Sequence, residues 1–391
     1  MSEPIPFFRH DLGAPEVEAF RRALEQPILT TGETVALFER RFAAALGRGH
    51  AVAVTSCTGA LHLSLIALGI GPGDEVITTP LTFVATSTAI MEAGATPVFV
   101  DVEADTGNLD VAQVEAAITV RTKAILPVHL YGHMVDMRAL RAIADRHGLR
   151  LIEDAAHCVE GRRDGARPGE LGDTACFSFY ATKSITCGEG GAIVTDDEGL
   201  ATKLRRLRIH GMTKAAADRE REGYQHWDMN ELGWKYNMDN LQAAILLPQL
   251  DRIDANWSKR TAIANEYTRR LRGVPGLAVP VTVPGVRHAR HLFPVWIQGG
   301  RRDAVIATLQ TRGISLMVNY RAIHLLTYFR RTFGLAPGAF PNAERIGDAT
   351  VSLPLYPSLG RDQVARVSDA LIAAVGSNAE SRVHAMAAPA L

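Results

Sequence analysis

The chain has 391 residues, 47% of them hydrophobic, and its 42 Lys plus Arg are balanced by 42 Asp plus Glu. That length calls for one large core of about 200 to 250 residues with a smaller companion. Zero net charge leaves no electrostatic footprint for nucleic acid or an anionic membrane, so small molecules are the expected partners.

No apolar run approaches the roughly 18 residues of a membrane span, and the opening MSEPIPFFRHDLG lacks the basic-then-apolar order of a secretory leader. The expectation is a cytoplasmic protein. Cys57, Cys158, Cys176 and Cys187 form no CxxC pair, so they read as small buried hydrophobes in a reducing compartment and offer no metal site.

Two amphipathic segments open the chain, Pro15 to Leu24 and Thr34 to Leu46, the second stopped by Gly47. A strand-then-helix grammar follows. AVAVTS (51–56) precedes a helix carrying Leu61, Leu65 and Leu68 at helical spacing and ending at Gly69. EVITT (75–79) precedes a helix from Phe83 to Ala93, and PVFVDV (97–102) one opened by Asp110 with Gln113 at capping-box spacing. AILPVH (124–129), a helix Asp136 to His147, LRLIED (149–154), GGAIVTD (190–196) and a basic helix Gly199 to Ile209 continue the pattern. Such alternation predicts a mostly parallel sheet with helices on both faces and a ligand site beyond the carboxyl ends of its strands.

Residues 210–236 are polar and irregular, too long for an ordinary connection, and read as either disorder or a functional loop. One helical pattern then runs from Asp239 to about Arg272, with Gln242 at capping-box spacing and a bend at Pro248. Strands at His291–Ile297, Ser315–Asn319 and Thr350–Leu353, with helices Arg302–Arg312 and Arg361–Val375, make a small α+β domain. The expected division is a large domain over 1–250, a small one over 251–375 and a flexible tail over 376–391.

Three stretches put polar groups at strand ends. TSCTGA (55–60) leads a strand into a helix through small residues, which suits either a phosphate at the helix N-terminus or an ordinary N-cap by Thr58. In IEDAAH, Asp154 ends an apolar strand, where a carboxylate needs a cation or several donors. It is either the N-cap of a following helix or the partner of a protonated pyridine nitrogen, with His157 in the same cavity or in a structural role. FSFYATKSITCGEGG (177–191) sets Lys183 between a core strand and a glycine turn, with Ser178 as a second phosphate donor. Lys183 is either a solvated surface residue or an amine whose burial lowers its pKa and frees it for imine formation. Phe83, just after another strand end, is either a core aromatic or a ring to stack on the pyridine face. The conjunction of anion nest, acid and lysine is what a pyridoxal phosphate site needs.

These stretches, together with GIGPGDEVITTPLTF, GATPVFVDV, RTKAILPVHLYG and GWKYNMDNLQAAI, resemble the DegT/StrS-type sugar aminotransferases over about residues 5 to 375. These are pyridoxal 5'-phosphate enzymes of fold type I that aminate keto sugars attached to nucleotides. The resemblance implies an α/β fold: a large domain with a mixed, mostly parallel sheet flanked by helices, and a small C-terminal α+β domain. It implies Lys183 as the Schiff-base lysine, Asp154 as the pyridinium partner, His157 beside the phenolic oxygen and Phe83 as the stacking ring. Thr58, Gly59 and Ser178 become phosphate ligands, and Asn237 reaches the phosphate of the other subunit in a homodimer with shared sites. Relatives vary at Cys57, Gly59 and Tyr180, and Lys183 argues against the subset that carries histidine and dehydrates.

The C-terminal segment from Gly313 is similar to members that aminate C4 of a UDP-linked keto sugar. Tyr180, Lys235, Tyr320, Arg321 and His324 are the candidate substrate contacts. The implied reaction takes the amino group of L-glutamate, leaves 2-oxoglutarate and pyridoxamine 5'-phosphate, and then aminates the sugar. The glutamate carboxylate is expected to meet backbone or small polar groups rather than a dedicated arginine. C3 amination of a dTDP-linked sugar, a desulfurase or C–S lyase of the same fold, and a non-catalytic regulatory homologue stay open.

Overall fold

The computed structural model describes residues 3–213 and 226–386. The strands are β1 (His50–Val54), β2 (Glu75–Thr78), β3 (Thr96–Phe99), β4 (Thr122–Ile125), β5 (Arg150–Asp154), β6 (Arg162–Arg163), β7 (Thr174–Ser178), β8 (Gly191–Thr195), β9 (Leu277–Ala278), β10 (Val286–Arg287), β11 (Phe293–Ile297) and β12 (Thr350–Leu353). Seven of them form one sheet in the order β1-β8-β7-β5-β4-β2-β3. The pairs among β3, β2, β4, β5 and β7 are parallel, while β8 runs antiparallel to both β7 and β1.

This order assembles the site. Asp154 pairs with Cys176, Ser178 pairs with Gly191, and Gly191 pairs with Val54. Because β8 is reversed between them, β1 and β7 run the same way, and the ends of β1, β5 and β7 meet at one edge. Gly191 has to be a glycine there: a Cβ would stand 2.5 Å from the carbonyl carbon of Ser56 and 2.6 Å from the Cys57 nitrogen.

The β1 end turns at once into the helix Cys57–Ala67, which is buried on nearly every side rather than along the stripe its leucines suggest. Such a helix belongs to the interior of a large α/β layer. Around the sheet, Phe38, Phe42, Phe177 and Phe179 form an aromatic cluster with ring centroids 5.2 to 5.5 Å apart.

Several expected elements take another form. The Asp110 helix is one turn long, Val111–Val114, and Gln113 bonds the Asp110 carboxylate at 2.6 Å instead of closing a box onto its backbone. The single helix from Asp239 is two, Asn240–Leu250 and Ile253–Leu271. Pro248 sits inside the first without ending it. The break comes where the Arg252 guanidinium takes the Pro248 carbonyl at 3.2 Å, the acceptor its own N–H would need, and reaches Glu16 and the Asp11 carbonyl at 2.6 and 2.5 Å. Residues 315–319 pair with β12 through the Met317–Ser352 bridge and form no regular strand. Helices Thr327–Phe333 and Pro341–Ala349 fall in stretches where none was expected.

Two boundaries also shift. Ile5, expected with the large domain, is fully buried in the C-terminal core with Tyr267, Phe293, Val351 and Leu371. The last helix runs Arg361–Met386, well past Val375, through a stretch that contains no proline to stop it. Of the 210–236 loop, residues 214–225 lie outside the described residues, and its flanks pair through Ile209–Lys235 and Met212–Met229. Among the described residues no helix is long and apolar enough to cross a membrane.

Gly191→Ala is expected to destabilise the protein by about 1–3 kcal/mol, since neither the Ser56 nor the Cys57 backbone can yield without moving the helix. Urea unfolding checks this; an unchanged midpoint would show that the turn is slack.

Candidate active site

Asp154 closes β5 with a carboxylate only 5% exposed. Thr86 Oγ1 donates to Oδ2 at 2.8 Å and the Ala156 N–H to Oδ1 at 3.2 Å, while the Cys57 thiol lies 4.0 Å from Oδ1. Burial raises the Asp154 pKa above the usual value, with Thr86, Ala156 and the Lys183 charge opposing it. No helix follows, so the N-cap alternative has nothing to cap. Thr86 was not among the sequence candidates; its place one turn past Phe83 was the only signal.

Lys183 lies in the turn after β7, where its N–H bonds the Tyr180 carbonyl at 2.9 Å. The side chain is half-buried, which rules out the fully solvated reading. Burial lowers its pKa from the ordinary 10.5 to about 8, and Cys57 and Asp154 pull the other way without cancelling the loss of solvent. Part of the population is therefore free amine near neutral pH. A cleft beside Lys183 is lined by Arg9, His10, Ser184, Asn256, Arg260 and His291. Arg260 is tied to Glu160, so Arg9 is a cation the sequence reading did not place there.

His157 is 6% exposed. Its Nδ1 accepts the Tyr131 N–H at 3.2 Å, which leaves the ring proton on Nε2, 3.2 Å from Tyr320 Oη. Tyr320 lies parallel to it with centroids 6.0 Å apart, and His291, absent from the sequence candidates, sits 4.5 Å away. Burial holds His157 and His291 well below the ordinary histidine pKa, with the Lys183 charge adding to the effect. Phe83 is 57% exposed, its ring 5.9 Å from Tyr320, so it is no core aromatic.

At the β1 and β7 ends, Ser56 rather than Thr58 is the N-cap: its hydroxyl accepts the Gly59 N–H at 3.0 Å. Thr58 is left in the first turn with its side chain unspent on capping. Gly59 packs on the Tyr236 ring, which a Cβ would approach to 3.2 Å. Ser178 Oγ accepts the Tyr180 N–H at 3.3 Å and keeps its own proton to donate. Asn237 bridges to Val54, donates to Thr30 and Thr31 Oγ1 at 3.2 and 2.7 Å, and buries Oδ1 with no partner among the described residues.

The remaining candidates separate. Tyr180 is half-exposed near Gly188, and Lys235 and Arg321 are exposed. His324 is not at the surface: it is fully buried, with Nε2 2.9 Å from Glu344 and its ring edge-on to Phe340. Sequence could not show this, because the helix that supplies Glu344 was not foreseen.

The lowered Lys183 pKa carries a stability signature. Between about 8 and 10.5 the unfolded chain binds more protons at this position, so its contribution becomes more favourable as pH rises through that window. Cofactor-free Lys183→Met is expected to melt above wild type at pH 7, with the gap closing by pH 10. A gap independent of pH would mean that the amine is not desolvated.

The comparisons with known proteins converge. The DegT/DnrJ/EryC1/StrS aminotransferase family matches residues 10–372. The chain is 43% identical over 373 residues to the spore coat polysaccharide biosynthesis protein SpsC of Bacillus subtilis (strain 168), covering 94% of this chain and 96% of that one. It is similar to the crystal structure of S. venezuelae DesV in complex with a ketimine intermediate, with a TM-score of 0.86 and 41% identity over 92% of this chain and 94% of the other. The putative sugar aminotransferase Spr1654 from Streptococcus pneumoniae, in its PMP form, gives a TM-score of 0.91 at 29% identity over 95% and 99% of the two chains. From the strand order at the sheet edge to the span of these matches, the chain belongs to the DegT/DnrJ/EryC1/StrS aminotransferase family, a pyridoxal-phosphate-dependent family of fold type I.

Proposed function

We propose that the chain moves the amino group of L-glutamate to the keto carbon of a nucleotide-linked deoxy sugar, foremost a UDP-linked 4-keto sugar, in making a cell-surface polysaccharide, lipopolysaccharide or glycosylated metabolite. The observation that carries this reading is that the neighbouring parallel strands β5 and β7 end in the buried Asp154 carboxylate and in the turn that holds Lys183, where burial lowers the lysine pKa. The name of SpsC, a polysaccharide biosynthesis protein, supports the substrate class. The similarity of the segment from Gly313 to UDP-4-keto-sugar enzymes supports the position on the ring.

The donor set fits pyridoxal 5'-phosphate group by group. Asp154, held by Thr86 and Ala156, would keep the ring nitrogen protonated. The exposed Phe83 would cover a ring face, and the Nε2–H of His157 would face the phenolic oxygen. Thr58 and Gly59 lie in the first turn at the positive end of a helix; the Thr58 amide and hydroxyl with the Ser178 hydroxyl would take the phosphate, while the Gly59 N–H is held by its cap Ser56 and the absent Gly59 side chain leaves the turn open. Asn237 would complete that cradle from the second subunit of a homodimer. The cofactor, alternating with its pyridoxamine form, supplies a carbonyl that carries the amino group and a protonated ring that accepts an electron pair.

The chain's own residues do the rest. With a pKa of about 8, Lys183 Nζ takes the α-proton of glutamate as a general base and returns a proton to the sugar carbon in the second half. Thr86 fixes the Asp154 carboxylate against rotation. Tyr180, Tyr320, Lys235 and Arg321 are proposed to meet the sugar and diphosphate, the two cations from exposed positions. His324 is not carried into this set.

Mass spectrometry of products from a panel of UDP- and dTDP-linked 3-keto and 4-keto sugars with L-glutamate tests the proposal. It predicts an amino sugar and one 2-oxoglutarate per turnover, best with the UDP-linked 4-keto sugar. Sulfide released from cysteine with no amino sugar would overturn it. Asp154→Asn is expected to bind cofactor while losing activity by about 100-fold or more; undiminished turnover would reject the role of the carboxylate.

A further inference from the structure

Behind the site, on the other face of β5, a carboxylate and an imidazole are both fully buried. Glu153 and His129 are 0% exposed, with Glu153 Oε2 2.8 Å from His129 Nε2. Burying such a pair is expensive, and an apolar pair is often no worse for stability. Its partners indicate what it holds.

Glu153 Oε1 accepts the N–H groups of Gly169 and Gly172 at 2.9 and 3.0 Å. His129 Nδ1 accepts the Val135 N–H at 3.2 Å, so its ring proton is on Nε2 and donates to Glu153. The His129 N–H donates to the Asp154 carbonyl at 3.0 Å, which locks the residue to the strand that bears the acid. His129 is thus fixed at ring and backbone immediately before the turn Leu130–Gly132.

That turn is unusual. Tyr131 has φ +60° and Gly132 φ +98°, a conformation that costs a tyrosine about 1 kcal/mol or more unless its surroundings impose it. It aims the Tyr131 N–H at His157 Nδ1, while the Tyr131 hydroxyl donates to the Asn319 carbonyl at 2.8 Å and the Gly132 carbonyl accepts the Ala289 N–H at 2.8 Å. The turn is pressed against His157, since a Cβ on Gly132 would lie 2.8 Å from the His157 carbonyl oxygen.

We propose that Glu153 and His129 are a positioning pair: they hold the 130–132 turn in its left-handed form, and through the Tyr131 N–H fix His157 as an Nε2–H donor aimed into the site. The inference rests on the reading above that His157 lies beside the cofactor. Neither residue of the pair touches the reacting atoms. A histidine free to exchange tautomers would present a lone pair to an anionic oxygen in one of its two forms, and the pair prevents this.

The test is Glu153→Gln. If the amide oxygen serves Gly169 and Gly172, its NH₂ meets His129 Nε2 and drives the ring proton to Nδ1, where it opposes the Val135 N–H. In the cofactor-loaded protein, ¹⁵N NMR is expected to show His157 as a single Nε2–H tautomer in wild type and as a mixture in the variant, with cofactor affinity about tenfold weaker. A folded variant with lowered stability but an unchanged His157 tautomer and cofactor affinity would overturn the proposal and leave the pair a purely structural role. If the variant does not fold, the wild-type spectrum decides: an Nδ1–H tautomer at His157 contradicts the proposal, and a single Nε2–H tautomer with a slowly exchanging Tyr131 amide supports it. Failure to bind any pyridoxal phosphate would strike the functional reading instead, because the tautomer of His157 can be read without it.

Discussion

Desolvation of the Lys183 amine and the Asp154 carboxylate at one sheet edge, each within the other's electrostatic field, is the constraint on which the site turns. Each group alone would be costly in a low-dielectric edge, and each responds by shifting toward its neutral form, the lysine to about 8 and the acid above its ordinary value. Their mutual attraction offsets only part of the loss of solvent. The result is an amine reactive near neutral pH beside a carboxylate that still has capacity for a cation, which is the electronic arrangement an amino-transferring cofactor asks of a protein.

Everything that makes this arrangement possible lies in strand order. Inserting the reversed β8 between β7 and β1 returns the chain so that the ends of β1, β5 and β7 reach the same edge. Gly191 allows the Ser56–Cys57 turn to pass over β8 at a distance no side chain would permit. The open first turn of the helix Cys57–Ala67 is thereby brought beside Ser178 and within reach of the lysine's turn. A second layer then stiffens the first: Thr86 behind Asp154, and the Tyr131 turn behind His157.

Much of this was legible in the residues. The β-branched run ending in Ser56, the apolar run ending in Asp154 and the apolar, aromatic run before Tyr180 marked the strands, and the glycine turn after Lys183 marked the edge. What local pattern did not encode was set by contacts between distant segments. The break after Leu250 comes from Arg252 reaching back to Asp11 and Glu16. His324 reads as a polar residue near a surface arginine, yet Glu344 holds it in the interior. His291 and the Tyr131 N–H join His157 only because the segment leading into β11 and the 130–132 turn converge on it. Neither carries a spacing that a single sequence displays.

The chemistry of the site depends on which side chain holds the cofactor. Reduction of the pyridoxal-phosphate-loaded protein with borohydride, followed by peptide mapping, tests it most directly. The account predicts one stable adduct, on Lys183, and none in Lys183→Ala. An adduct on another lysine, or one that persists in Lys183→Ala, would contradict it.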